Sequence, residues 1–148
     1  MPLIEAIDQD LKKAMKASEK KAVSALRLIK SALKYREIEK GGRLEDQDET
    51  SVLSSLLKQR KESIEQYEKA GREDLAASER AEIEVIMRYL PDQIPEAELE
   101  GIVRAVISDL GASGPKDVGR VMKEVMPRVR GRADGKVVNV IVSRLLSA

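Results

Sequence analysis

The chain has 148 residues, 36% charged and 42% apolar, and carries a net charge of +1. It contains no Cys, His, Trp or Phe, which excludes a disulfide framework, a thiolate nucleophile, a zinc–thiolate site and the commonest general base. The opening "MPLIEAIDQDL" carries acids rather than a basic stretch before an apolar run, and no window approaches the roughly 18 unbroken apolar residues of a membrane span. A cytoplasmic location without membrane attachment is the expectation.

The charge is unevenly distributed. Residues 1–40 hold ten Lys/Arg and six Asp/Glu, a net +4. Residues 41–114 hold nine and seventeen, a net −8, and residues 115–148 hold eight and three, a net +5. The last stretch is a basic end on a nearly neutral protein.

Helical spacing dominates from the start. Ile4, Ile7, Leu11 and Met15 recur at three and four residues and predict a first helix. Ser18 is placed to cap a second, striped by Val23, Leu26, Ile29 and Leu33 and stopped by Gly41-Gly42. A third follows "LEDQDE", with Leu53, Leu57, Ile64 and Tyr67 inward and Glu62, Glu65, Glu68, Lys58, Lys61 and Lys69 on an exposed face. A fourth runs through Leu75, Ile83, Ile86 and Leu90 to Pro91.

"PDQIP", residues 91–95, cannot lie inside a regular helix and marks a boundary. Beyond it Leu99, Ile102, Val103, Val106 and Leu110 form a fifth helix ending at Gly111. Val118, Val121, Met122 and Val125 form a sixth between Pro115 and Pro127, with Met122 and Met126 at the core edge. Val137, Val138, Ile141, Val142 and Leu145 close the chain. Their β-branching favours a strand, with Asp134-Gly135 as a hairpin turn. No second strand-like run exists to pair with it, so helix is the better reading. The expected fold is all-α: a bundle of about four helices over residues 1–90, then a three-helix domain over 95–148.

Few residues can carry chemistry. "GRADGKV" echoes a phosphate loop but is one residue too short between its glycines, and Val137 stands where a magnesium-binding hydroxyl belongs. Glu79 with Glu82, and Glu62 with Glu65, sit one turn apart without the His of bundle di-metal sites, and read as surface carboxylates. The serines lack any glycine-rich elbow. No catalytic group, metal or cofactor is therefore expected.

What stands out is "MPRVRGRADGK". Pro127 disfavours helix at Met126, which makes residues 127–133 a connection. If extended, it turns Arg128, Arg130 and Arg132 to one side and Val129 inward. Lys136, Lys123 and Arg120 would widen the surface, and Asp134 would cap the last helix. Guanidinium forks suit phosphate; a solvated loop whose charges serve solubility is the competing reading. The three tyrosines, Tyr35, Tyr67 and Tyr89, lie far from these cations in sequence. Any nucleic acid bound there would be held by backbone and shape rather than by base stacking.

The stretches "KQRKESIEQYEKAGREDLAASERAEIEVIMRYLPDQIPEAEL" (58–99) and "GRVMKEVMPRVRGRADGKVV" (119–138) closely resemble the YqeY family. That resemblance implies an all-helical two-part protein. Its C-terminal part is similar to the tail domain of the B subunit of tRNA-dependent Asp/Glu amidotransferase, a module that contacts the body of tRNA. It also brings a carbon–nitrogen ligase label with glutamine as amido-N-donor, for which the chain shows no nucleophile and no ATP site. The resemblance therefore implies a tRNA-binding accessory module through Arg128, Arg130, Arg132 and Lys136, flanked by Lys116, Arg120, Lys123 and Asn139. Two other roles stay open: a subunit of such an enzyme, and an adaptor for an aminoacyl-tRNA synthetase or amidotransferase.

Overall fold

The computed structural model describes residues 2–147. Their order is α1 (Leu3–Lys16), α2 (Lys20–Lys40), α3 (Asp46–Lys69), α4 (Glu73–Met87), α5 (Glu96–Leu110), a short 3-10 turn (Pro115–Asp117), α6 (Val118–Val129) and α7 (Gly135–Ser147). The described residues contain no strand, so the all-α expectation holds and the final β-branched run is a helix. Two compact units divide the chain, Met1–Leu90 and Pro91–Ala148.

In the first unit the predicted stripes meet. Ile7, Leu26, Ile29, Leu33, Leu53, Leu57 and Ile86 are buried in one core. Local signals set the helix ends. Gly41 closes α2 in the left-handed region at φ 77°. Glu45 and Asp48 form a capping box at the start of α3, and the Glu45 amide donates to Asp48 Oδ2 at 2.9 Å. Ser18 does not cap α2 as expected. It adopts φ 57°, Glu19 is the N-cap residue, and no side chain bonds the free amides there. A residue turned left-handed to reverse the chain between α1 and α2 cannot also present its hydroxyl to the next helix.

The second unit has a core of valines: Val103, Val106, Val121, Val125, Val129, Val138 and Val142, with Leu99 and Ile141. Met122 and Met126 pack at its edge. Residues 91–95 are bound into this unit rather than left as a free linker. Ile94 is buried there, and its amide donates to the Arg132 carbonyl at 2.8 Å. Gln93 Nε2 donates to the carbonyls of Pro91 and Gly131, each at 3.0 Å.

The expected break at Met126 is absent, because α6 continues through Pro127 to Val129. Val121, Val125 and Val129 keep four-residue spacing and are all fully buried. Proline removes one helical bond, to the carbonyl of Lys123. Lys123 and Pro127 are both exposed, so water can serve that carbonyl. Burying Val129 contributes roughly 1.5–3 kcal/mol, which favours the extra half-turn.

Candidate nucleic-acid interface

Residues 130–134 connect α6 to α7 and bring the C-terminal end of one helix beside the N-terminal end of the other. Arg128 lies in the last turn of α6, Arg130 is the cap residue (φ −53°, ψ 126°), and Lys136 lies in the first turn of α7. All three are exposed. Arg128 complements the partial negative charge of the α6 terminus. Asp134 caps α7 as expected: its Oδ1 accepts from the Lys136 amide at 2.9 Å.

The arginines do not alternate along an extended strand as the sequence suggested. Arg128 is helical and Gly131 takes φ 78°, so the chain curls tightly after Arg130. Arg132 is a structural tie. Its amide donates to the Val129 carbonyl at 2.8 Å, and its Nε donates to the Asp92 carbonyl at 3.1 Å. The turn and residues 91–94 are held together through this side chain and Gln93.

The other expected residues spread out. Lys123 lies on the exposed face of α6. Lys116, on the 3-10 turn, and Arg120 sit toward the opposite end of α6; eight residues of helix place Arg120 roughly 12 Å from Arg128 along the axis. Arg120 pairs with Asp117 at 3.6 Å. A bond from the Ser113 amide, with the Arg120 and Lys116 charges, holds the Asp117 carboxyl below its usual range. Asn139 is exposed on α7, three residues after Lys136. Among the described residues Lys116, Lys123, Arg128, Arg130 and Lys136 enter no ion pair. The structure thus places Arg128, Arg130 and Lys136 around the α6–α7 connection, with Asn139 about one turn on from Lys136; at roughly 100° per residue Lys123 lies on another side of α6 from Arg128, and Lys116 and Arg120 lie apart.

Two neighbours were not anticipated. Glu124 is exposed four residues from both Arg120 and Arg128, so one carboxylate lies on the cationic stripe of α6. Its position, four residues after Arg120 and four before Arg128, was legible. Val137 and Val140 are exposed beside Lys136 and Asn139, which gives the outer side of α7 an apolar component. Arg144, also on α7, is neutralised: Glu100 accepts from Arg144 at 2.9 Å and from Arg104 at 2.8 Å.

Glu79 and Glu82 share a partly buried arginine rather than standing as surface carboxylates, whereas Glu62 and Glu65 are exposed as expected. Arg60 Nε lies 2.6 Å from Glu82 and 3.4 Å from Glu79. Burial and the Glu82 charge raise the Glu79 pKa. Among the described residues no cluster of three or more potential metal ligands occurs, and no helix is long and apolar enough to cross a membrane.

The family model described as Yqey-like protein matches residues 4–146. Relatives named altered inheritance of mitochondria protein 41, mitochondrial, include one from Lachancea thermotolerans, 38% identical over 74% of this chain and 60% of its own length. Another, from Saccharomyces cerevisiae, is 34% identical over 81% of this chain and 66% of its own length. A third, from Pyrenophora tritici-repentis, is 29% identical over 96% of this chain and 80% of its own length. The chain thus spans about two thirds or less of the length of the first and second of these. The cytoplasmic expectation does not stand beside them, since all three are mitochondrial by name. A match across nearly every residue settles the classification: the chain belongs to the YqeY family.

Proposed function

We propose that the C-terminal unit binds folded RNA of the tRNA class, as an accessory module. The observation that carries this reading is the exposed group Arg128, Arg130 and Lys136 at one end of the α6–α7 pair, without ion-pairing carboxylates among the described residues. Arg128 at the end of α6, Arg130 at its cap and Lys136 at the start of α7 offer two guanidinium forks and an ammonium to phosphate around a connection whose backbone is tied by Arg132 and Gln93. Glu124 sets a limit on where a phosphate can sit, and Asp134 fills the α7 terminus that would otherwise attract one. Contact therefore falls on side chains rather than on helix amides. The three tyrosines all lie in the first unit. Without an aromatic platform beside the turn, this surface reads backbone and shape.

The similarity of this part to the amidotransferase B-subunit tail favours tRNA among folded RNAs. Binding, rather than bond-making, is what the residues of this surface can do: arginine, lysine and asparagine orient an anion and supply no nucleophile or base at neutral pH.

Affinity capture of the tagged full chain from a lysate, with and without nuclease, tests the reading. Sequencing of the bound RNA should return tRNA that the Arg128→Ala, Arg130→Ala, Lys136→Ala protein no longer retains. Equal recovery by the two proteins, or protein partners that persist after nuclease with no RNA bound, would overturn it.

A further inference from the structure

The C-terminal turn is not the only exposed cationic surface. In α2, residues at 20, 24, 27, 31, 34, 35 and 38 fall within about a quarter of the helix circumference, at roughly 100° per residue. They are Lys20, Ser24, Arg27, Ser31, Lys34, Tyr35 and Ile38, and every one is exposed. Tyr35 is 70% exposed and Ile38 79%. The buried residues Ala25, Leu26, Ile29 and Leu33 occupy the opposite face.

Charge is sorted between the two sides. Lys30 pairs with Asp8 at 2.6 Å, and Arg36 pairs with Glu39 at 3.1 Å; both lie off the outer stripe. So do the three nearby acids, Glu19, Glu37 and Glu39, which fall about 90° or more from its centre line. Lys20, Arg27 and Lys34 enter no ion pair among the described residues, although Lys34 lies close enough to Asp8 for its charge, after that of Lys30, to help hold that carboxyl below its usual range. They are spaced seven residues apart, roughly 10 Å each. Serine hydroxyls lie between them, and Tyr35 closes the row. Near Lys20 and Arg27 the surface dips into a cleft of about 490 Å³ lined also by Met15, Ser18, Val23 and Ser24.

We infer that the outer face of α2 is a second RNA-contact surface, in which Lys20, Arg27 and Lys34 meet phosphates of an RNA backbone and Tyr35 stacks on an unpaired base. This rests on the RNA reading above and extends RNA contact to the first unit. Three features favour RNA over other anions. The cations form a row, as a backbone does. Hydroxyl donors separate them. The one aromatic is nearly free of protein contact, as a stacking platform must be. An anionic lipid surface fits less well, because the apolar groups, Met15 at one end and Tyr35 and Ile38 at the other, leave no continuous stripe to insert.

The test compares four full-length proteins: wild type, Lys20→Ala with Arg27→Ala and Lys34→Ala, the turn variant at Arg128, Arg130 and Lys136, and the combination. Alanine is a strong helix former and these sites are exposed, so α2 should persist, checked by circular dichroism. Anisotropy titrations of a labelled tRNA transcript across a salt series give the slope of log K against log salt. The α2 variant should be shallower by about 2 to 3, from roughly 0.7–0.9 per lost phosphate contact. Tyr35→Ala should weaken binding roughly tenfold with no change of slope. An unchanged slope in the α2 variant, beside a reduced one in the turn variant, overturns this inference and leaves the turn as the binding site. A reduced slope in the α2 variant alone supports the inference and removes the turn reading.

Discussion

Val138 and Val140 differ by one intervening residue and define what kind of element closes the chain. In a strand they would share a face. On α7 they lie about 200° apart, and the structure leaves Val138 fully buried while Val140 is 66% exposed. Truncating Val138 to alanine removes two buried methyl groups, about 1.6 kcal/mol of transfer free energy, and a cavity contribution brings the cost to about 2 kcal/mol. The second unit, residues 91–148, has 58 residues, and a domain of that size has a stability of about 3–9 kcal/mol. The loss is a large share of it. Val140→Ala removes little buried area and substitutes a better helix former, so its effect should lie within about 0.5 kcal/mol of zero. Amide hydrogen exchange on the full chain reads both. Val138→Ala should speed the slowest amides of α5, α6 and α7 by roughly 30-fold, from 2 kcal/mol at 1.4 kcal/mol per decade, and leave the first unit unchanged. Equal effects from both substitutions would refute the helical assignment of this segment.

Other substitutions probe the ties that hold each unit. Tyr89 OH donates to Asp10 at 2.5 Å, joining α1 to the residues after α4, so Tyr89→Phe should lower the stability of the first unit by about 1 kcal/mol in urea titrations. Glu79 has a raised pKa because burial and Glu82 disfavour its charge more than Arg60 favours it. Its ionised form therefore costs stability near neutral pH, a cost that disappears as pH falls through the raised value. Glu79→Gln should accordingly raise the urea midpoint near neutral pH and lose that advantage in acid; a lower midpoint near neutral pH would contradict the assignment. Gly131→Ala meets φ 78° and should cost about 1 kcal/mol, with faster exchange at the Ile94 amide that the turn holds.

The sequence carried most of the fold because each helix announces itself through three- and four-residue apolar spacing and through glycine or proline at its ends. It misled where two local signals conflict. Pro127 argues for a break, whereas Val129 extends the stripe of Val121 and Val125; burial outweighed one exposed hydrogen bond. Ser18 resembles a cap by residue type, but reversing the chain required it to be left-handed. At the candidate site, residue types and the Asp134 cap of α7 were legible. The commitments of individual groups were not, because Arg132 finds Asp92 across 40 residues of sequence, a contact that depends on residues 91–95 folding back onto the turn. Ile94, the sole apolar residue in "PDQIP", was the available clue. The outer face of α2 went unnoticed for a different reason. The sum over residues 1–40 mixes its cations with those neutralised by Asp8 and Glu39.

The central claim is that Arg128, Arg130 and Lys136 contact phosphates of a folded RNA. Titrating a tRNA transcript into the wild-type chain and the triple alanine variant at several salt concentrations measures it directly. Three lost contacts should reduce the magnitude of the salt slope by about 2 to 3, with folding unchanged at these exposed sites. A variant whose slope and affinity match the wild type would contradict the account.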